Sequence, residues 1–298
     1  MPASVRILLA TRNGARHLPQ QLASYLAQDH DDWALWVSDD GSTDDTWALL
    51  ERFAAQNADR DIRLLRGPRR GAAANFLSLL THPDLPPGAV ALSDQDDVWM
   101  PHRLSRALKA VNATPDPALY GSITVETDEN LRPLPRPKRP LPPPSFENAL
   151  VQNIVAGNTA TLNAAGLAIL RAGGAPDVPY HDWWLYLRLS AMNAQVILDD
   201  APLLYYRQHG HAVIGAHRGL RAHLARAATL ANGTYRRWVH TNLTALLGTD
   251  DLPADHARAA QTLLSDPNRL HALRTSGARR ASPLGQTLLT LLALTRRL

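Results

Sequence analysis

The hydrophobic pattern of the first hundred residues alternates between short apolar runs and segments with helical spacing. The apolar runs predict buried strands at residues 5–10, 33–37, 62–65 and 89–92. The intervening segments predict helices at residues 18–28, from Ser42 onward, and at 72–80. Strands that alternate with helices of this length form right-handed βαβ units, so the pattern predicts an α/β fold with a mostly parallel sheet. Ligands of such sheets bind at the carboxyl ends of the strands.

The pattern changes after Pro101. A helix at 103–111 and a strand at 119–125 precede a stretch from 132 to 144 that holds seven prolines and four basic residues. Because proline is excluded from helix interiors and central strands, we expect a surface loop beside the site, with an inert linker as the alternative. Helices are predicted at 164–172 and 182–194, and short strands at 196–198 and 203–206. From His217 the pattern is helical, with breaks at Gly233, Gly248, Pro267 and Pro283. We therefore divide the chain into an α/β domain at 1–216 and a helical extension at 217–298.

Composition removes whole classes of chemistry. Cysteine is absent, which excludes disulfides, zinc–thiolate sites, iron–sulfur clusters and cysteine nucleophiles. Lysine occurs only at Lys109 and Lys138, so Schiff-base and P-loop chemistry is nearly excluded. The N-terminus has no secretory pattern, and no window reaches the ~18 apolar residues that span a bilayer. We therefore expect a cytoplasmic protein.

Charge is distributed unevenly along the chain. Residues 1–200 hold 18 basic and 23 acidic residues, whereas residues 201–298 hold 13 basic and 4 acidic residues. An acidic front suggests a metal or nucleotide site, and a basic tail suggests an anionic partner; arginine-rich solvated faces are the alternative. The tail lacks a basic motif interleaved with aromatic residues, so no nucleic-acid partner is expected.

The first acidic motif follows the second predicted strand. Asp39 and Asp40 stand there before Gly41 and Ser42, and such a strand end can hold the polar edge of a nucleobase or ribose. The same residues are also typical of an ordinary turn, in which Ser42 caps the next helix and Asp45 completes a capping box.

The second acidic motif follows the fourth predicted strand and contains Asp94, Asp96 and Asp97. Three carboxylates within four residues repel one another unless a cation compensates them. Mg²⁺ and Mn²⁺ favour oxygen ligands and commonly bridge to phosphates. The run precedes Val98 and Trp99, which places it at a wall rather than on a free loop. It therefore indicates metal or phosphate binding, with a solvated acidic loop as the alternative.

Two further motifs place ionisable groups beside aromatic residues. The run His181-Asp182-Trp183-Trp184 can form a carboxylate base in a cleft with an indole wall, or a helix N-cap above buried tryptophans. After the last predicted strand, three side chains can neutralise diphosphate oxygens or ligate a metal, or simply occupy a surface strand end: Arg207, His209 and His211.

Taken together, the order and context of these motifs resemble the family 2 glycosyltransferases of the GT-A fold, especially rhamnosyltransferase-like members that build bacterial surface polysaccharides. The resemblance covers roughly residues 5–215. Its specific pieces are residues 9–14, 38–46, 71–76, 93–99 and 206–210. It implies a mostly parallel mixed sheet flanked by helices, with a nucleotide-sugar half at about 1–100 and an acceptor half at about 101–216.

The resemblance also implies roles for individual residues. Asp182 falls at the position of the general base, Asp96 at a metal ligand, and Asp94 with Asp96 forms a DxD motif for ribose and metal-diphosphate. Nucleotide-binding positions are Thr11, Arg12, Asn13, Asp39, Asp40, Gly71, Asn75, Asp94 and Gln95. The diphosphate or metal would also meet Arg207, His209 and His211, and the acceptor wall would consist of Trp99, Trp183 and Trp184.

The implied reaction is inverting transfer of a sugar, with rhamnose as one candidate, from a dTDP- or UDP-linked donor to a glycan or lipid-linked acceptor hydroxyl. The implied cofactor is a divalent cation, Mg²⁺ or Mn²⁺. The alternatives are a catalytically silent nucleotide-sugar-binding or membrane-adaptor module and, with less support, an aspartate-nucleophile phosphatase, which would need a supporting lysine.

The tail carries a further expectation. Its charge and the leucines near the C-terminus, followed by Arg296 and Arg297, suggest docking on an anionic membrane surface on the inner face of the membrane. A helical cap packed on the catalytic domain, or a homodimer contact, is the alternative.

Overall fold

One mixed sheet organises the fold of the computed structural model, which describes residues 4–135, 140–208 and 232–298. Its strand order is β3-β2-β1-β4-β7-β6-β8-β5. Neighbours are parallel from β3 through β4 and between β6 and β8, and antiparallel elsewhere. The strands are β1 (Val5–Thr11), β2 (Trp33–Asp39), β3 (Ile62–Arg66), β4 (Ala89–Ser93), β5 (Val98–Trp99), β6 (Ala118–Thr127), β7 (Thr161–Leu162) and β8 (Gln195–Arg207).

Helices cover both faces of the sheet. The helices are α1 (Leu18–Leu26), α2 (Thr46–Gln56), α3 (Ala72–Leu80), α4 (Arg103–Val111), α5 (Phe146–Ala149), α6 (Ala164–Ala172), α7 (His181–Ala191), α8 (Thr234–Leu247), α9 (Ala254–Ser265), α10 (Arg269–Thr275) and α11 (Pro283–Leu294). Alternate side chains of a strand point to opposite faces. Leu8 of β1 accordingly packs with Phe76 of α3, whereas Ile7 and Leu9 pack with Leu22 of α1. Burial on both faces explains why β1 and β2 are continuous apolar runs.

The predicted helix cap after β2 is wrong. Helix α2 begins at Thr46 with Asp45 as its N-cap residue, and the Asp45 side chain makes no capping hydrogen bond. Asp44 instead accepts a hydrogen bond from Thr46 N at 3.1 Å. The Ser42 hydroxyl is occupied elsewhere, because it accepts from Asn13 N at 2.8 Å and donates to the Asp39 carboxylate. Ser42 therefore shapes the loop at the strand end rather than the helix.

The two short strands predicted at 196–198 and 203–206 are one strand, β8, which runs parallel to β6 with a register shift at Ser122/Ile123. The polar residue Asp199 does not interrupt it, because its carboxylate accepts hydrogen bonds from Arg106 Nε at 2.6 Å and Tyr120 Oη at 2.7 Å. Strands β5 and β7 have two residues each, which is too short for a periodic signal, and the sequence analysis missed them.

The C-terminal helices pack on the α/β domain. Tyr235 of α8 is buried and donates its hydroxyl to Val151 O at 2.6 Å, and Trp238 packs edge-on against Tyr180 at 5.1 Å between ring centroids. The buried Arg188 of α7 contacts the Asp251 carboxylate at 2.5 Å. These helices therefore share a core with α7. The predicted boundary at 216/217 lies outside the described residues, and in the described ranges no helix is long and apolar enough to cross a membrane.

Candidate active site

The carboxyl ends of β1, β2 and β4 meet at one edge of the sheet. Thr11 is the register partner of Asp39, and Asp40 N donates to Thr11 O at 2.8 Å. Gln95 joins the end of β4 to this pair: its Oε1 accepts from Thr11 Oγ1 at 2.6 Å and from Arg12 N at 2.8 Å. The fold therefore brings together residues that are 84 positions apart in the sequence.

Asp39 is the last residue of β2 at this edge of the sheet, and its side chain is almost fully buried. Its carboxylate accepts hydrogen bonds from Ser42 N at 3.2 Å and from Arg66 Nη1 at 3.3 Å, as well as from the Ser42 hydroxyl. Arg66 is itself held 3.3 Å above the Trp47 ring. Asn13 joins the loops after β1 and β2, because its Oδ1 accepts from Thr43 N at 2.8 Å. The loop is thus fixed around an oxygen acceptor, while the side chain of Arg12 is exposed beside it.

Two residues predicted to bind nucleotide have structural contacts instead. Both carboxylate oxygens of the buried Asp40 accept from backbone N–H groups, those of Arg70 at 3.3 Å and Gly71 at 2.7 Å. Asn75 is 1% exposed and makes two hydrogen bonds with Ser38, donating to its carbonyl at 2.9 Å and accepting from its hydroxyl at 2.5 Å. These contacts anchor the start of α3 to the end of β2, and the nucleotide-binding roles of Asp40 and Asn75 stay predictions.

Gly71 differs from these two residues in that its backbone borders open space. It precedes α3 with φ 89°, a conformation that glycine adopts without steric cost, and a Cβ placed there would meet no atom within 4 Å. The open space beside this residue leaves room for a ligand.

The carboxylates after β4 repel one another and are poorly solvated. Burial, together with the charges of Asp96 and Asp182, raises the pKa of Asp94 to about 7. Asp97 is fully buried, and burial with the charges of Asp96 and Asp94 raises its pKa well above the usual range. Its Oδ2 accepts from Asn158 Nδ2 at 2.7 Å, while its Oδ1 has no hydrogen-bond partner within the described part of the chain. A cation at this position would relieve the repulsion.

Asp182 occupies the first turn of α7 and accepts a hydrogen bond from Trp183 N at 2.8 Å. Burial raises the pKa of Asp182 to about 6, while hydrogen bonds from the backbone of Trp183 and Gly157 and from Asn153 oppose the rise. The charge of Asp182 in turn raises the pKa of Asp94. A carboxylate at the start of α7 therefore lies close enough to the strand edge that carries Asp94 and Asp96 to interact with it electrostatically.

His181 is not an equivalent acid or base. Its ring stacks on Phe76, with 4.0 Å between ring centroids and 24° between the planes. Burial lowers the pKa of His181 to about 3, so the imidazole is neutral at physiological pH. Gly157 is required beside it, because a Cβ at that position would lie 2.5 Å from His181 Nε2 and 3.2 Å from Asp182 Cβ.

The tryptophan wall predicted for the acceptor is wrong. Trp99, Trp183 and Trp184 are 2%, 5% and 0% exposed, and all three belong to the hydrophobic core. The Trp183 indole donates to Ala149 O at 2.7 Å. Helix α7 is buried on nearly all sides, so its aromatic side chains pack against neighbouring elements instead of facing a cleft.

Arg207 also differs from its prediction as a diphosphate ligand. The side chain is buried, and its guanidinium donates to Asp96 O at 3.1 Å, to Gln20 Oε1 at 2.5 Å and to the Glu129 carbonyl. Arg207 therefore stabilises the loop that carries Asp96 through the backbone carbonyl of that residue. His209 and His211 lie outside the described residues.

Several supporting residues have no recognisable signal in the sequence. Arg103 is buried and donates to Leu92 O and Asn158 O, both at 3.1 Å, which fixes the segment that holds Asp97. Gly157 lies against His181 and Asp182, and Gln20 accepts a hydrogen bond from Arg207. Both contacts join residues that are distant in sequence. No group of three or more histidine, aspartate or glutamate side chains that could hold a metal ion occurs in residues 4–135, 140–208 and 232–298.

The sequence matches the family model described as glycosyl transferase family 2 over residues 7–170, more than half of the chain. The chain belongs to this family. It is 26% identical over 244 residues to the dTDP-rhamnosyl transferase RfbG of Shigella flexneri, covering 78% of this chain and 82% of RfbG. It is also 29% identical over 102 residues to the putative glycosyltransferase EpsE of Bacillus subtilis, covering 34% and 36%.

Solved structures agree with the architecture. The mannosyltransferase PcManGT of Pyrobaculum calidifontis, in complex with GDP-Man and Mn²⁺, matches with a TM-score of 0.59 and 19% identity, over 99% of this chain and 81% of its own. TarS 1–349 of S. aureus, in complex with UDP-GlcNAc, matches with a TM-score of 0.58 and 17% identity, over 99% and 80%. The predicted GT-A fold is confirmed, and the chain is a glycosyltransferase of the kind that uses nucleotide-sugar donors.

Proposed function

We propose that this glycosyltransferase transfers its sugar with inversion to an acceptor hydroxyl, with Asp182 as the general base. One observation carries the proposal: the half-buried Asp182 lies close enough to the carboxylates after β4 for its charge to raise the pKa of Asp94. A proton acceptor beside a diphosphate-binding edge is what a single displacement at the anomeric carbon requires.

Different residues at the strand ends bind different parts of the nucleotide-sugar donor. Thr11 and Asp39 contact the nucleobase, with Arg12, Asn13 and Gly71 around it, because their polar atoms line the fixed loop after β1 and β2. Asp94 accepts from the ribose. Asp96 would hold a cation at the diphosphate, and Gln95 links the ends of β1 and β4 through Thr11.

The donor set fits a hard divalent cation. The carboxylates are closely spaced, partly desolvated and mutually repulsive, and all available ligand atoms are oxygen. Asp96 would hold the ion, and the diphosphate oxygens would supply further ligands. When bound, the cation stabilises negative charge on the departing nucleotide diphosphate. The Mn²⁺ in the PcManGT complex supports this assignment.

The chemical step balances without a covalent enzyme intermediate. The acceptor O–H gives its proton to the Asp182 carboxylate, and the oxygen forms a bond to the anomeric carbon. The bond from that carbon to the diphosphate oxygen breaks, and its electron pair leaves with the nucleotide. Because burial raises the pKa of Asp182 only to about 6, the carboxylate is ionised at neutral pH and can accept this proton.

The proposed donor is dTDP-rhamnose, and the proposed role is surface polysaccharide synthesis on a glycan or lipid-linked acceptor. The similarity to RfbG across 82% of its length supports rhamnose, and UDP-linked hexoses are the alternative donors. The acceptor would enter from the side of residues 101–216, where Asp182 lies.

A donor screen tests the proposal. The purified chain is incubated with dTDP-rhamnose, UDP-hexoses or GDP-mannose, with Mg²⁺ or Mn²⁺ and a panel of simple glycosides, and products are identified by mass. NMR of the new linkage reports its anomeric configuration. We expect a rhamnosyl product of inverted configuration. A retained configuration would refute Asp182 as the base of a single displacement. Turnover of another donor in place of dTDP-rhamnose would refute only the assignment of rhamnose as the sugar.

A further inference from the structure

Helix α11 exposes an apolar face that is not covered by any element in residues 4–135, 140–208 or 232–298. Its exposed leucines follow one another at spacings of four, three and three residues, and we call them the leucine face: Leu284, Leu288, Leu291 and Leu294, which are 71%, 40%, 50% and 59% exposed. The opposite side, with Leu289 and Leu292, is buried against the protein. No residue of α11 is charged. The helix is therefore apolar on both sides, although only one side packs against the described part of the protein.

Arginines border the leucine face. At its C-terminal end Arg296 and Arg297 are exposed, and Arg236 of α8 joins them by donating to Arg296 O at 3.1 Å. Along one flank, a cavity of about 380 Å³ lies between α10 and α11, and Arg274 and Arg279 line it. Residues 267–298 contain six arginines and no acidic residue. The nearest acid to this border is Glu147, 3.5 Å from Arg279.

We propose that the leucine face and its arginine border dock the enzyme on an anionic membrane surface. The helix lies flat, the leucines enter the boundary between headgroups and acyl chains, and the arginines contact lipid phosphates. The cavity beside Arg274 and Arg279 has room for a headgroup, with Gln286 and Thr290 as polar neighbours.

Charge favours a membrane over a second copy of the chain. A twofold interface brings the same surface of two copies together. Packing two leucine faces in this way would place two arginine borders against each other with no acidic residue from 267–298 to compensate them. An anionic leaflet instead offers opposite charge around an apolar interior. The inference does not depend on the identity of donor or acceptor.

Co-sedimentation of the full chain with vesicles tests the docking surface. The vesicles contain phosphatidylcholine alone or phosphatidylcholine with about one third phosphatidylglycerol, an anionic lipid. We expect binding to the anionic vesicles that weakens as salt is raised. The double variant Leu288→Ser/Leu291→Ser should bind at least about tenfold more weakly, because two apolar side chains no longer enter the interface. Leu26→Ser is the matched control, since Leu26 is 46% exposed on α1, far from α11 in sequence.

The charge component is tested separately with Arg296→Gln/Arg297→Gln, which should weaken binding about fivefold per charge removed. Arg52→Gln, at an exposed position of α2, should leave binding unchanged. Circular dichroism confirms that each variant is folded, which is expected because the substituted side chains face solvent. Equal binding of the wild type and both double variants overturns the proposal, as does no binding to either vesicle. A wild-type dimer that Leu288→Ser/Leu291→Ser converts to a monomer, without vesicle binding, would assign the leucine face to self-association.

Discussion

Substituting Asp182 by asparagine should make the enzyme both slower and more stable. The amide preserves the shape of the side chain but accepts no proton. General-base catalysis contributes roughly 10²–10⁴-fold to rate, which corresponds to about 3–5 kcal/mol of transition-state stabilisation. We expect kcat to fall by this factor, while the affinity for the nucleotide changes little, because the proposed nucleotide contacts lie on β1, β2 and β4.

The stability change follows from the buried charge. Burial raises the pKa of Asp182 from 3.8 to about 6, and at 1.36 kcal/mol per unit the ionised form costs at most about 3 kcal/mol in the folded protein. Asparagine avoids this cost but retains only one acceptor oxygen, so we expect a net gain of about 1–2 kcal/mol. Because the folded pKa is raised, the wild type loses stability as pH rises from about 4 to about 6. The advantage of the variant should therefore be complete above pH 6 and absent below pH 4.

Two measurements and one control decide this prediction. Steady-state kinetics give kcat, and urea unfolding at pH 8 and pH 4 gives the free energy of unfolding. Asp199→Asn is the control: Arg106 lowers the pKa of Asp199 to about 2, so this variant should lose stability at pH 8 and keep its kcat. If Asp182→Asn retains kcat within a few-fold, Asp182 is not the general base. If it is inactive and less stable, Asp182 is structural.

Other variants probe the parts around Asp182. Asp96→Asn should abolish transfer at every Mg²⁺ or Mn²⁺ concentration while the protein stays folded; near-normal turnover would exclude Asp96 as a cation ligand. Gly157→Ala should lower kcat more than it raises the donor KM, because a Cβ would lie 2.5 Å from His181 Nε2; kinetics identical to wild type would show that α7 adjusts freely. Arg207→Met should lower the free energy of unfolding by about 2–3 kcal/mol, because three hydrogen bonds of a buried charged group are lost, and should raise the cation concentration needed for half-maximal activity; unchanged values would refute its support of the Asp96 loop.

The first half of the fold could be predicted because its strands have local signals. Strands β1 to β4 are apolar runs separated by amphipathic helices, and parallel pairing then requires Thr11, Asp39 and Asp94 to meet at one edge. Asp182 could be placed only through resemblance. Its proximity to Asp94 depends on the packing of α7 against α3, which no local pattern encodes.

The differences between prediction and structure share a physical cause. The identity of a polar or aromatic side chain does not determine which group it contacts in the folded protein. Asn75 and Asp40 were predicted to face a nucleotide, yet Asn75 donates to a carbonyl of β2 and Asp40 accepts from the backbone N–H of Gly71. Trp99 follows an acidic motif and was predicted at a wall, but the antiparallel pairing of β5 with β8 turns it into the core. The sequence alone could not distinguish a structural role of Arg207 from a role in diphosphate binding, because its partners Gln20 and Glu129 are distant in sequence.

We propose above all that the edge formed by Asp39, Asp94 and Asp96 binds a nucleotide diphosphate together with a divalent cation. Isothermal titration calorimetry of dTDP into the full chain, with Mn²⁺ and then with chelator, measures this directly. We predict strong binding that requires Mn²⁺, is lost in Asp96→Asn and persists in Asp182→Asn. Equal affinity with Mn²⁺ and with chelator, in both the wild type and Asp96→Asn, would contradict it.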